Sequence, residues 1–442
     1  MAGQNRVGGS NGKTAVEKII SAHCSSDVRA GDFAIADVDF AMIHDTTGPI
    51  AIKTFEEFGV EKVWDPRKMI IVLDHATPSP NERISNLHML LRAFAAKQEI
   101  PLYDEGDGVC HQLVMENGLV LPGDLAVGAD SHTCTYGALN TFSFGIGSSD
   151  MSGVMLTGKL WLRVPATMKI EISGEMQPGT YAKDLILHLI GRIGADGADY
   201  LALSFRGETI RRMSISERST ICNMVIECGA KAGIMEADEK ALAYLAKIEE
   251  ENPKGRKPNP VWDDDDAEFA RVIEIDASTV APSVSCPHAV DSVAPVDEVA
   301  GTPIDQVYIG TCTNGRLDDL RIAASILRGR KVALRTRLLV CPPSRKVLED
   351  AVADGTIAAL LAAGATLIPP GCGPCPGTHL GVPGDAERAI STANRNFKGR
   401  MGNNKSFVYL ASPATCAATA VEGRIADPRK YLTGANEGGA DR

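Results

Sequence analysis

No stretch of this chain approaches the ~20 consecutive apolar residues that a membrane-spanning helix needs. Nor is there an excess of positive charge. Forty-five lysines and arginines stand against 56 aspartates and glutamates, a net charge of −11 with a pI near 5.4. That balance argues against nucleic acid or anionic membrane as the main partner. It leaves small acidic substrates open, since a few local arginines suffice to bind them. The N-terminal stretch MAGQNRVGGSNGKTAVEKII lacks the apolar core of a secretory signal. The expected location is therefore the cytoplasm, with the first dozen residues as a flexible arm. Internal repeats and low-complexity tracts are missing too. The eleven cysteines are odd in number and irregularly spaced, which does not suit the disulfide framework of a short secreted domain. Cys24, Cys222, Cys228, Cys286, Cys341 and Cys416 read as small buried residues.

What is present is a chain of 442 residues, 44% hydrophobic and 23% charged. This is a globular composition, long enough for about three domains. Two stretches rich in proline and polar residues, 249–266 and 276–298, read as linkers near a domain boundary. The run Asp263–Asp266 inside the first reads as a solvated face, without the spaced ligands and turn glycine of a calcium loop.

The segment 305–377 is the most regular. The strand QVYIG (306–310) is followed by a loop TCTNGR and a helix with Leu317, Leu320, Ala324 and Leu327 on one face, ended by Gly329. A strand over 334–340, a helix from Ser344 to Gly364 and the strand ATLIPP then lead into GCGPCPG. Strand–helix–strand–helix–strand implies a parallel sheet with helical crossovers. Loops at the carboxyl ends of parallel strands share one edge of the sheet. Cys312, Cys372 and Cys375 are therefore expected to converge, although 60 residues separate the first two. Likewise MIIVLDH (69–75) delivers Asp74 and His75 at a strand end, before a helix with Ile84, Leu87, Leu91 and Phe94 on one face. DLAVGADSH (124–132) delivers Asp130, Ser131 and His132. Three cysteines by spacing alone suit an iron–sulfur cluster with one iron lacking a protein ligand, a zinc site completed by histidine, or thiol redox chemistry.

Four blocks read together narrow this: GTCTN (310–314), GCGPC (371–375), ADSHT (129–133) and NRNFKGR (394–400). In that order they resemble the aconitase superfamily, and within it the large subunits of 3-isopropylmalate dehydratases, over about residues 14–430. The resemblance implies three α/β/α units with mainly parallel sheets around a central cleft, here 1–163, 164–278 and 279–442. It implies a [4Fe–4S] cluster on Cys312, Cys372 and Cys375, with Asn223, Asn314 and Asn394 near its sulfurs. It implies catalytic roles for Asp74, His75, Asp130, His132, Glu227 and His111, with Glu227 orienting a histidine. Arg395 and Arg400 would face substrate carboxylates, where the planar guanidinium fork binds in a bidentate way. Ser131 and His44 would also touch substrate.

The implied enzyme is a hydro-lyase of leucine biosynthesis. It interconverts 2- and 3-isopropylmalate by dehydration and rehydration of a small di- or tricarboxylate. In that family a serine on a separate swivelling domain, carried by a small subunit in two-component enzymes, removes the proton. No such serine motif is visible here, and Ser344 in CPPSRKV belongs to the large-subunit pattern. Pro376 departs from the leucine or isoleucine expected after the last cysteine. The GPC and GRMG spellings suit a branch that also holds 2,3-dimethylmalate dehydratase, citramalate-acting and homoaconitase large subunits. A member that has lost its cluster and binds RNA is disfavoured by the acidic balance, and a zinc scaffold stays open.

Overall fold

The structure is a computed structural model that describes residues 12–432; the expected N-terminal arm falls outside these residues except for Gly12. The described residues form a two-stranded antiparallel ribbon, Phe33–Asp37 with Lys159–Arg163, and three larger sheets, each from a consecutive stretch of chain. The first has five parallel strands in the order Leu102–Tyr103, Met69–Val72, Phe40–His44, Leu125–Gly128, Phe142–Gly145. The chain enters at the centre with Phe40–His44, builds outward to one edge, then returns to build the other side from Leu125–Gly128. Connections therefore leave in opposite directions between these two strands, which opens a crevice at their carboxyl ends. His44 and the 129–132 turn lie there.

The second sheet is parallel as well, in the order Ala232–Met235, Ala202–Arg206, Thr167–Ser173, Arg271–Asp276. The third has seven strands, of which five run parallel in the order Phe407–Ala411, Arg388–Ser391, Gln306–Gly310, Arg337–Cys341, Thr366–Leu367. Its reversal point falls between Gln306–Gly310 and Arg388–Ser391. Cys312 follows one of these strands and Asn394 the other. The first and third sheets thus turn their crevices to the same cavity. Central strands such as Met69–Val72 and Leu125–Gly128 are buried on both faces, as parallel strands covered by helices must be. An apolar core continues across the boundary between the first two units and reaches Cys312 and Cys372.

Several expectations need correction. The helix expected over 344–364 is two helices, Arg345–Ala353 and Thr356–Ala363, because Gly355 between them takes a left-handed φ of 80°. Ser344 caps the first of them, accepting from the Val347 amide. The TCTNGR loop contains one helical turn, Thr311–Asn314, and the following strand starts at Arg337 rather than 334. The stretch 276–298 is not a bare linker, since Ser283–Ser285 and Val293–Pro295 extend the third sheet antiparallel. The stretch 249–266 includes the end of the helix Glu239–Glu251 and then a strap tied to the first unit, with Val261 donating to the Asn140 side chain. Asp263 is buried, accepting from the Ala15 amide, Ser204 and Arg206, so the aspartate run is not all solvated face. Cys24 and Cys286 are half-buried rather than buried. Among the described residues no helix is long and apolar enough to cross a membrane.

Candidate active site

A cavity of about 370 Å³ lies between the first and third units, lined by His44, His75, His111, Asp130, Ser131, His132, Cys312, Cys372, Cys375, Asn394, Arg395 and Arg400. Its first wall is the carboxyl edge of the first sheet. Asp74 is fully buried: one oxygen sits 2.7 Å from His75 Nδ1, and the other accepts from the Cys110 amide. The Asp74 carbonyl accepts from the Cys372 amide at 2.9 Å, which ties the cysteine loop of the third unit to the histidine of the first. His44 stacks on His75 with ring centroids 4.1 Å apart.

Asp130 and His132, both implied as catalytic by the resemblance, meet through the backbone rather than ring to carboxylate. Asp130 accepts from the His132 amide, while its nearest ring partner is His111 Nε2 at 2.7 Å. The His132 ring turns to Glu227 at 2.9 Å. Glu227 comes from the second unit and receives Arg395 Nε of the third at 2.8 and 3.0 Å. One carboxylate therefore joins a histidine and an arginine from the two flanking units.

The cysteine sulfurs have donors. Asn223 Nδ2 lies 3.3 Å from Cys312 Sγ, Asn394 Nδ2 lies 3.7 Å from the same sulfur, and Arg400 lies 3.2 Å from Cys375 Sγ. Asn314 departs from expectation. Its amide donates to Thr220 and Asp319 instead, bracing the turn that carries Cys312. Tyr308 holds the second cysteine loop by donating to the Cys372 carbonyl. Thr311, a β-branched residue at φ 74°, shows that the turn presenting Cys312 is strained.

This set fits a cluster better than a single ion. Around one zinc at ~2.3 Å per sulfur, ligand atoms lie no more than about 4.6 Å apart. Among the described residues the group of such ligands that closes within 4.8 Å is His44, Asp45, Asp74 and His75. The three thiols line one cavity without closing that tightly. Burial pushes Cys312 up to about 11, with Cys375 adding to it, and pushes Cys372 well above the ordinary thiol range. Metal binding is what would hold them as thiolates.

The aconitase family profile (aconitate hydratase) matches residues 17–302 and 297–423. The chain belongs to the aconitase family. Among its curated relatives, 3-isopropylmalate dehydratase large subunit 1 of Methanopyrus kandleri is 50% identical over 422 residues, covering 95% of this chain and all of that one. The probable methanogen homoaconitase large subunit of Methanosarcina mazei is 50% identical over 397 residues, 90% of this chain and all of that one. The crystal structure of Thermococcus kodakaraensis aconitase X (holo-form) superimposes with a TM-score of 0.50 at 14% identity, covering 86% of this chain and 89% of that one. That likeness bears on the fold alone.

The electrostatics of this aconitase-family cavity separate its histidines. Burial alone would lower His75, but Asp74, Cys372 and Asp130 outweigh it and raise the ring well above the ordinary value. His111 goes the other way, lowered by burial in spite of Asp130. A neutral His111 donating from Nε2 to Asp130 leaves Nδ1 to accept from Tyr136, 3.2 Å away. Asp45 escaped the sequence reading. Burial works to raise it, and the neighbouring imidazoles of His44, His88 and His75 overcome that and hold it well below the usual range. It accepts from the His75 and Ala76 amides and so fixes the Asp74–His75 turn. Its place directly after His44, at the end of a buried strand, was the available signal.

Proposed function

We propose that the chain is the large subunit of a hydro-lyase that isomerises a substituted malate through dehydration and rehydration, acting on isopropylmalate. The observation that carries this reading is the convergence of three buried cysteines, His75 backed by Asp74, and Arg395 backed by Glu227 of the second unit on one cavity between the first and third units. Cys312, Cys372 and Cys375 would hold a [4Fe–4S] cluster, with Asn223, Asn394 and Arg400 donating to the sulfurs. When bound on three thiolates, such a cluster supplies a Lewis-acidic iron that weakens the bond to the substrate hydroxyl.

The protein's own groups account for much of the rest. His75, kept protonated by Asp74, delivers a proton from Nε2 to the departing hydroxyl oxygen, so that water leaves. Arg395 keeps its terminal nitrogens for a substrate carboxylate while Glu227 fixes its Nε. Glu227 also orients His132, and Asp130 sets the His111 ring against the same cavity. Ser131 and His44 line the substrate side. The hydrogen removed lies α to a carboxylate, is weakly acidic and needs a strong base. That base is assigned to a serine of the small subunit, the curated relatives above being large subunits.

The test is anaerobic copurification with the candidate small subunit and an assay on a panel of malate derivatives. Hydratase activity that appears only with both chains supports the reading; activity of this chain alone overturns the split site. A homoaconitase large subunit is the second reading, supported by the Methanosarcina mazei relative. Faster turnover of homocitrate-type triacids than of isopropylmalate would establish it.

A further inference from the structure

Lys183 is a fully buried cation outside every motif that pointed to the site. It sits in the first turn of the helix Ala182–Ile193, in the second unit, with no exposed surface. Its ammonium crosses to the third unit and donates to the carbonyls of Thr392 and Ala393, at 3.0 and 2.6 Å. Among the described residues no carboxylate pairs with it within 4.0 Å. The next residue, Asp184, reaches the same unit by accepting from the Ser283 amide. Asp319 and Asp184 attract it from beyond contact distance, yet burying an ammonium without a contacting carboxylate is costly, and an apolar side chain of similar volume would serve packing better. The two carbonyls explain its presence. They lie at the reversal point of the third sheet, directly before Asn394 and Arg395. Thr392 is also tied to the cysteine turn: its hydroxyl accepts from the Gly310 amide and lies 3.1 and 3.0 Å from the Gly310 and Asn314 carbonyls, between which its one proton is shared.

We infer that Lys183 is a positioning residue whose ammonium holds the Thr392–Ala393 backbone so that Asn394 meets the cysteine sulfurs and Arg395 meets the substrate carboxylate. The second unit thereby sets the substrate clamp of the third from two sides, Lys183 through the backbone and Glu227 through the Arg395 side chain. The inference rests on the reading of Arg395 given above.

The test uses Lys183→Met, which keeps the volume, and Lys183→Gln, which keeps one donor. In the complex with the small subunit, Lys183→Met raises KM by about tenfold or more, as expected when a clamp shifts by a fraction of an ångström. Its kcat and iron content stay near those of the parent, and Lys183→Gln falls between the two. In the isolated chain, amide hydrogen exchange over 393–396 speeds up about tenfold while Met69–Val72 keeps its protection. An unchanged KM at full iron content overturns the inference, and so does exchange that rises equally in all three sheets. If the unsubstituted complex turns over no malate derivative, the proposed function fails; the exchange measurement still decides whether Lys183 holds the segment.

Discussion

Glu227→Gln is the substitution that tests most of the site at once. The carboxylate is nearly buried, with side-chain exposure of 7%, and makes one contact to His132 and two to Arg395. Each hydrogen bond to a charged group contributes about 1.5–3 kcal/mol. Glutamine keeps one acceptor oxygen, so it satisfies one partner and turns an amide donor toward the other. The expected loss is about one charged hydrogen bond together with part of the charge neutralisation, roughly 2–3 kcal/mol. If that loss is felt in the transition state, kcat/KM falls by roughly 30- to 150-fold. Stability has its own signature. The imidazole of His132 and the guanidinium of Arg395 overcome burial and lower the Glu227 pKa below the ordinary glutamate value. Its contribution is therefore complete above the unfolded value of about 4.3 and is lost as pH falls through the folded one. The gap in unfolding free energy between parent and Glu227→Gln should be full at pH 7 and shrink in acid. Activity within threefold of the parent, or a gap that widens in acid, would refute the reasoning.

Arg395→Lys keeps the charge but removes the fork, so KM should rise about tenfold with kcat little changed, measured on the two-subunit enzyme. Gly145→Ala places a methyl group 2.5 Å from the Asp130 carbonyl oxygen and 2.7 Å from Ser131 Cα. Backbone must move there, so a loss of about 1–3 kcal/mol in stability should accompany a fall in kcat. Asp263→Asn, far from the cavity, should lower the melting temperature through about 3 kcal/mol of lost ion pairing and leave kcat/KM unchanged, by calorimetry and initial rates.

The sequence showed the parallel order of the third sheet because its strands and crossover helices alternate cleanly between 306 and 367. It showed the convergence of Cys312 with Cys372 and Cys375 for the same reason: strand ends share an edge. What it hid were side-chain contacts between segments distant in sequence. Asp130 taking His111 within the first unit, and Glu227 of the second reaching Arg395 of the third, are pairings that no local pattern encodes. Asn314 looked like a sulfur donor by position, yet its side chain points back to Thr220 and Asp319. Gly355 split a helix that its apolar spacing alone could not divide. Lys183 carried no signal at all, since a lysine in an amphipathic helix reads as solvated until its acceptors are seen.

The central claim is that three thiols from one sheet edge hold a four-iron cluster. Anaerobic reconstitution of the chain with iron and sulfide, followed by iron and acid-labile sulfide counts, tests it most directly. About four of each per chain are expected, falling to background in Cys372→Ser. One tightly held zinc per chain, or iron retained by Cys372→Ser, would contradict it.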